Sequence, residues 1–407
     1  MPELPRHVTV TAAALALAAR GPARLALTPR DLGDLGVVDG APGTDVLLLP
    51  APPGFDWRLD DPGPSLVGWP EGDGVRVHRV APGGPPGERV GATALLAGSA
   101  ASARVQGVLG TDAAARKTVA VLGLGSGGSF ITRELAKAGV GRFLLLDHDR
   151  LEPGNVSRHE CGLGDVGRLK VNAMRDVVLA HHPAARVATS DLRVEGGTLD
   201  AVRAFVAEAD LVICATDNRE SRLLVNGLCL AADVPMILGG VHRRAYGGLV
   251  QRVIPGLTPC YQCFVQALPE SAADNEISSA TSAARVSYTD REVAPQPGLS
   301  TDIVPIALMM AKLALVELLT GEAEVFDSLA ADLAAPIHQW INRREFAHAG
   351  LAPLGNGVDG QTVLRWYGVL LNRLPDCAAC GKPQWQEGDA DPEVEALFAA
   401  DPRPPSG

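Results

Sequence analysis

Four sets of residues have the types and spacing to do chemistry. The first, Gly123-x-Gly125-x-x-Gly128, ends an apolar run at 118–122 and opens a helical stretch. Glycine there permits a tight turn and lets backbone N–H groups approach a phosphate at the positive end of the helix. The second set begins at Asp147, nineteen residues after Gly128 and at the end of the next apolar run, 143–146. A carboxylate in that place can accept both hydroxyls of a ribose. Taken alone, these two features indicate a nucleotide and favour NAD over ATP.

The residues after Asp147 tilt the choice. Asp149, Asn155, Arg158 and Lys170 follow, with Asp165 and Gly167 among them. A dinucleotide has two phosphates and can rest on backbone amides. Two cations and an amide side chain suit a triphosphate, which has more charge to neutralise. The third set, Thr216-Asp217-Asn218, ends a further apolar run at 211–215. A carboxylate at a strand's C-terminal edge can hold Mg²⁺ against those phosphates. Taken singly, each such residue is most often a solvated surface charge; their joint placement at strand ends argues for a site. The fourth set is Cys260-x-x-Cys263 with Cys377-x-x-Cys380, the latter followed by Gly381. Four thiolates at these spacings make a closed tetrahedral Zn²⁺ site with a structural role. A redox Cys-x-x-Cys would not need two pairs.

The elements that must position these groups alternate. Strands are predicted at 118–122, 143–146, 211–215 and 236–239, and helices at 130–138, 169–180 and 221–232. Such alternation gives an α/β fold: a Rossmann-like, doubly wound, mostly parallel sheet with helices on both faces. A loop-rich stretch follows Cys263 as far as Pro297, then a helix over 302–319. Residues 1–100, with short strand-like runs at 45–49 and 75–80 broken by Pro-Gly clusters, read as a small N-terminal α/β accessory domain. A helix is expected at 9–19, and the isolated His7 and His78 read as surface residues. Residues 101–383 form the main domain, and the acidic, Pro-bearing 384–407 a flexible tail.

Composition excludes other classes. The 407 residues carry a net charge of −11, which gives no affinity for a phosphate backbone, so nucleic acid is not an expected partner. No apolar run reaches the roughly 18 residues that would span a bilayer, so no membrane role is expected. Seven cysteines, four of them in two knuckles, fit a reducing compartment, and the expected location is cytoplasmic.

Together these residues resemble the ubiquitin-activating-enzyme-like superfamily of ThiF, MoeB and HesA, over about residues 104–382 and with the motifs in the family's order. Bacterial members found with ubiquitin-like conjugation operons look most similar. The resemblance makes 101–383 an adenylation domain with a crossover loop and zinc knuckles. It implies that Gly123, Gly125 and Gly128 line the adenine and phosphate loop and that Asp147 takes the ribose. Asn155, Arg158 and Lys170 would hold phosphates, Asp217 the Mg²⁺, with Asp149 and Asn218 in the same ATP site. Arg104, six residues before Gly110, fits the family's arginine-finger segment, although Val105 stands where Gln is usual. In family dimers that arginine enters the partner's nucleotide site, so a homodimer is implied.

The implied reaction is ATP-dependent adenylation of the C-terminal carboxylate of a ubiquitin-like protein with a Gly-type C-terminus. Pyrophosphate leaves, and the acyl group passes to a ubiquitin-conjugating-like enzyme or another thiol acceptor. Gly239-Gly240 and the loop 264–297 lie where such a tail could thread. Sulfur-carrier activation for cofactor or tRNA thiolation is the alternative within the class. An NAD-dependent Rossmann oxidoreductase and a catalytically silent scaffold are alternatives outside it. One family feature is missing: the loop 264–297 contains no cysteine. Cys214 and Cys229 read as inert core residues, and Cys161, near the phosphate residues, is the one further thiol that could be exposed. Either the enzyme stops at the acyl-adenylate or a loop cysteine has been replaced, within Ser278-Ser279-Ala280-Thr281-Ser282.

Overall fold

The computed structural model describes residues 4–30, 35–53, 65–72, 74–81, 84–95, 108, 111–268, 297–343 and 363–381. Arg104, Gly110, residues 269–296 of the crossover loop and the tail 384–407 lie outside them. The chain divides into two compact units, Met1–Arg104 and Val105–Gly407.

The first unit is one eight-stranded sheet with a single helix among its described residues. Its elements are β1 (His7–Thr11), α1 (Ala12–Ala18), β2 (Ala23–Leu25), β3 (Thr28–Arg30), β4 (Leu35–Val38), β5 (Val46–Leu48), β6 (Leu66–Glu71), β7 (Gly74–Val80) and β8 (Pro86–Leu95). The strand order is β2-β5-β6-β7-β8-β1-β4-β3. The unit is thus mostly β, because the Pro-Gly breaks leave runs too short for helices. The expected helix at 9–19 starts only at Ala12. Its first residues are β-branched and pair with both β4 and β8, and Thr11 then caps α1 by accepting from the Ala14 amide at 3.3 Å. His78 is half-buried rather than at the surface: its ring stacks on Trp69 at 5.2 Å.

The second unit holds the glycine, acid and cysteine motifs. It runs α2 (Thr111–Arg116), β9 (Thr118–Leu122), α3 (Ser126–Lys137), β10 (Arg142–Leu146), α4 (Lys170–His181), β11 (Arg186–Ser190), α5 (Leu199–Ala207), β12 (Leu211–Cys214), α6 (Arg219–Ala232), β13 (Met236–Val241), β14 (Gly247–Val253), α7 (Tyr261–Ala267), α8 (Ser300–Leu319), α9 (Glu324–Asp332), β15 (Ile337–Ile341) and β16 (Arg365–Val369). The sheet order is β11-β10-β9-β12-β13-β14-β15-β16, parallel as far as β13 and antiparallel beyond. The last three strands are mixed polar and apolar segments, and nothing in their sequence announces an antiparallel extension.

Every residue of β9 is buried, as expected for a central parallel strand covered on both faces. Val119 and Val121 face α3, α4 and α8, against Ile131, Leu135, Met174 and Val316. Ala120 and Leu122 face α5, α6 and α7, against Val202, Val225, Tyr261 and Phe264. Among the described residues no single helix is long and apolar enough to cross a membrane; the apolar α8 is a core helix, ten of its residues buried.

Candidate nucleotide site and cysteine cluster

The order of the strands sets the site. From β9 the chain moves outward to β10 and β11, then returns to the other side of β9 as β12 and continues to β13. The reversal falls between β9 and β12, and in doubly wound sheets the ligand crevice lies outside the strand ends at such a point. The register aligns three ends there: Leu122 pairs with Leu146 on one side and with Cys214 on the other. The residues that follow, Gly123, Asp147 and Ala215 to Asp217, therefore leave the sheet at one edge.

The glycine turn is sterically required. Gly123 has φ +93°, and a Cβ on it would lie 2.8 Å from the Ala215 carbonyl. A Cβ on Gly128 would lie 2.0 Å from the Gly123 carbonyl oxygen. Gly125, the N-cap of α3, has no atom near its missing Cβ, so the turn is open at that point. The strand end that carries Asp217 thus presses directly on the turn, and the exposed Asp217 sits two residues past Ala215.

Asp147 is buried and binds the turn itself. One carboxylate oxygen accepts from the Leu124 amide at 2.6 Å and the other from the Asp149 amide at 2.8 Å. Lys170 opens α4 with its side chain almost fully buried, and its Nζ lies 2.6 Å from the Asp149 carboxylate. Burial pushes the Asp149 carboxyl upward, but the Lys170 hydrogen bond and charge, helped by His148 and Arg193, leave it below its ordinary range. Lys170, Asp149, Asp147 and Leu124 thus form one continuous polar chain around the turn.

Asn155 and Asn218 each commit a side-chain oxygen to the backbone. Asn155 accepts from the Glu152 amide at 3.0 Å at the head of the 3₁₀ turn Pro153–Arg158, and Asn218 caps α6 by accepting from Ser221 at 2.8 Å. Arg158 is partly exposed at the end of its turn. Two buried residues of this edge escaped the sequence reading. Arg222 of α6 donates to the Thr216 carbonyl at 3.0 Å, and its guanidinium fills the space where a Gly240 side chain would stand, 2.5 Å from that Cβ position. Gly239 similarly makes room for Met310 of α8. Close packing accounts for both glycines. The second missed residue, His159, bonds the Leu124 carbonyl at 2.8 Å. Arg222 carried a readable signal, a cation five residues past Asp217; His159 carried none.

The cysteines divide cleanly. Cys260, Cys263, Cys377 and Cys380 bring their four sulfurs within 4.8 Å of one another, with separations of 3.8, 3.6 and 3.4 Å for 260–263, 260–377 and 263–380. A tetrahedron of Zn–S bonds of about 2.3 Å has edges of about 3.8 Å. The knuckles are braced from outside the cluster. The Tyr261 amide donates to Asn226 of α6 at 2.8 Å, and Arg373 donates to the Gly256 and Cys380 carbonyls at 2.6 and 2.7 Å. Gly381 is sterically required: a Cβ there would meet the Pro375 carbonyl oxygen at 2.5 Å.

The other three thiols are buried. Cys161 is 3% exposed, with its sulfur against Met174 at 3.7 Å, and burial pushes its thiol up to about 12. Cys214 and Cys229 are fully buried, and burial raises both.

A glycine turn, a buried acid and a cation-bearing segment at the switch point of a doubly wound sheet define an α/β protein with a candidate nucleotide site. The ThiF family model matches residues 98–345, well over half of the chain, and the chain belongs to that family. Ubiquitin-like modifier-activating enzyme 5 of Caenorhabditis elegans is 30% identical over 168 residues, 39% of this chain and 40% of that protein. The uncharacterized protein y4oA of Sinorhizobium fredii is 31% identical over 163 residues, 37% of this chain and 28% of that one. The chain thus spans two fifths or less of these curated relatives. Escherichia coli MccB shares the fold, with a TM-score of 0.50 at 19% identity and 69% of each chain covered.

Proposed function

We propose that the protein adenylates the C-terminal carboxylate of a ubiquitin-like protein or peptide, using MgATP and releasing pyrophosphate. The observation that carries this reading is the level alignment of three strand ends at the switch point, which sets Gly123, Asp147 and the Asp217 segment at one edge with Lys170 beside them. A carboxylate is a poor electrophile because its leaving group would be oxide. When one carboxylate oxygen attacks the α-phosphorus of ATP, a new O–P bond forms and the bond to pyrophosphate breaks. The product is a mixed anhydride that a thiol or another nucleophile opens.

Little covalent chemistry falls to the side chains. Backbone amides of the turn and the N-terminus of α3 cradle the phosphates, Lys170 and Arg158 offset developing charge, and Asp147 fixes the turn. Asp217 is suited to hold Mg²⁺, which would neutralise the polyphosphate. Arg104 of a second copy would complete the site in a homodimer. The four clustered cysteines would hold a structural Zn²⁺, for which their sulfur spacings are suited.

The state of the thiols adds a point of mechanism. A nucleophilic cysteine needs exposure and an accessible thiolate, and Cys161, Cys214 and Cys229 have neither. The remaining four cysteines belong to the cluster. The acyl-adenylate is therefore the last covalent product made on this chain, and the acceptor comes from outside. The test is ATP–pyrophosphate exchange with a cognate ubiquitin-like protein. Exchange is expected only when that carrier is present, with no thiol-sensitive carrier adduct on the enzyme by denaturing gel or intact mass. Exchange without the carrier would overturn the substrate, and a thiol-sensitive adduct would overturn the stopping point.

A further inference from the structure

We propose that His159 is a positioning residue that locks the glycine turn to the segment bearing Arg158, and that it does so only as the neutral Nε2–H tautomer. The inference rests on the reading of that turn as the ATP site.

Two backbone partners fix the ring's protonation. Nε2 lies 2.8 Å from the Leu124 carbonyl oxygen, which can only accept. Nδ1 lies 3.0 Å from the Cys161 amide, which can only donate. The proton must therefore sit on Nε2 and the lone pair on Nδ1. Leu124 is the residue between Gly123 and Gly125, and its own N–H is already held by Asp147 at 2.6 Å. Both peptide groups of Leu124 are thus clamped, one from each side of the turn. Because His159 directly follows Arg158, the same bond sets how far the backbone of Arg158 lies from the turn.

An imidazolium would break this arrangement. Protonated Nδ1 would point a second N–H at the Cys161 amide, donor against donor. The surroundings oppose the charge as well. His159 is 7% exposed, and burial is the largest influence lowering its pKa; the Leu124 carbonyl pulls the other way. Lys170 at the head of α4 lowers it further, whereas Asp147 after β10 and Asp165 in the turn Leu163–Asp165 raise it, and the net direction is down from 6.5. The adjacent Glu160 is paired with Arg133 of α3. The folded state binds this proton less readily than the unfolded chain. The clamp's contribution is therefore complete above the ordinary imidazole pKa and is lost as pH falls below it.

Two substitutions separate the bonds. Glutamine can place an amide N–H where Nε2 was and does not titrate; asparagine can place an oxygen where Nδ1 was but does not reach Leu124. Calorimetric titration of the full chain with MgATP at pH 8, with thermal melts between pH 8 and pH 5, is the experiment. At pH 8, His159→Asn is expected to weaken binding about tenfold, leaving the Leu124 carbonyl without its donor, and His159→Gln to restore most of the loss. The wild-type melting temperature should fall relative to that of His159→Gln as the pH drops from 8 to 5, because the unfolded wild-type chain takes up the imidazole proton and the folded clamp resists it. All other titrating groups are common to both proteins and cancel in that difference. A melting-temperature difference independent of pH, or His159→Asn binding like wild type, would overturn the role of His159 alone. Wild-type protein that fails to bind MgATP at pH 8 would overturn the ATP site and this inference with it.

Discussion

Asp217→Ala is expected to lower carrier-dependent ATP–pyrophosphate exchange by about 10²- to 10³-fold, the usual effect of removing one charge-stabilising group from a reaction centre. The melting temperature should hardly change. Asp217 is exposed past the end of β12, so its removal leaves no buried group unpaired and opens no cavity. Lys170→Ala makes the useful contrast. That side chain is buried and bonded to Asp149, so its loss should reduce exchange and also cost about 1–3 kcal/mol of stability. If Asp217→Ala kept full exchange activity, the magnesium role would be wrong; if it melted early, the residue would be structural.

The cysteine cluster predicts a larger effect on stability. The four sulfurs close a loop between α7 and the segment after β16, more than a hundred residues apart in sequence. Zinc bound there would contribute folding free energy directly, with apparent values of about 10–16 kcal/mol in small zinc domains. One zinc per chain is expected by elemental analysis. Cys260→Ser should lose the metal and lower the melting temperature by roughly 10 °C or more, given about 2–4 °C per kcal/mol for a domain of this size. Cys161→Ser, at a thiol outside the cluster, should keep the metal. Wild-type protein without metal, or Cys260→Ser melting like wild type, would remove zinc from the account.

The parts of this molecule that were legible in the sequence are those fixed by local rules. The apolar runs of β9, β10, β12 and β13 and the glycines that follow β9 are written in composition and spacing, and helices α3, α4, α6 and α8 start within four residues of the expected positions. The antiparallel strands β14, β15 and β16 were not legible, since half-polar strands are specified by their neighbours rather than by their own residues. The N-terminal unit shows the same limit: β-branched Thr9 and Thr11 became strand where an apolar stretch suggested helix. At the site, Gly123 and Gly128 were readable because only glycine fits there, and Asp147 because of its place at a strand end. His159 was not, because its role depends on the carbonyl of a residue thirty-five positions away. Nor does sequence distinguish a buried thiol from an exposed one, so the exposure of Cys161 stayed open until its burial was known.

The central claim is that the switch-point edge binds a magnesium-bound triphosphate rather than a dinucleotide. Calorimetric titration of the wild-type chain with MgATP and, separately, with NAD tests it most directly. The account predicts saturable MgATP binding at one site per chain that weakens on removal of Mg²⁺ and in Lys170→Ala, with no heat from NAD. Saturable NAD binding, or MgATP binding indifferent to both Mg²⁺ and Lys170, would contradict it.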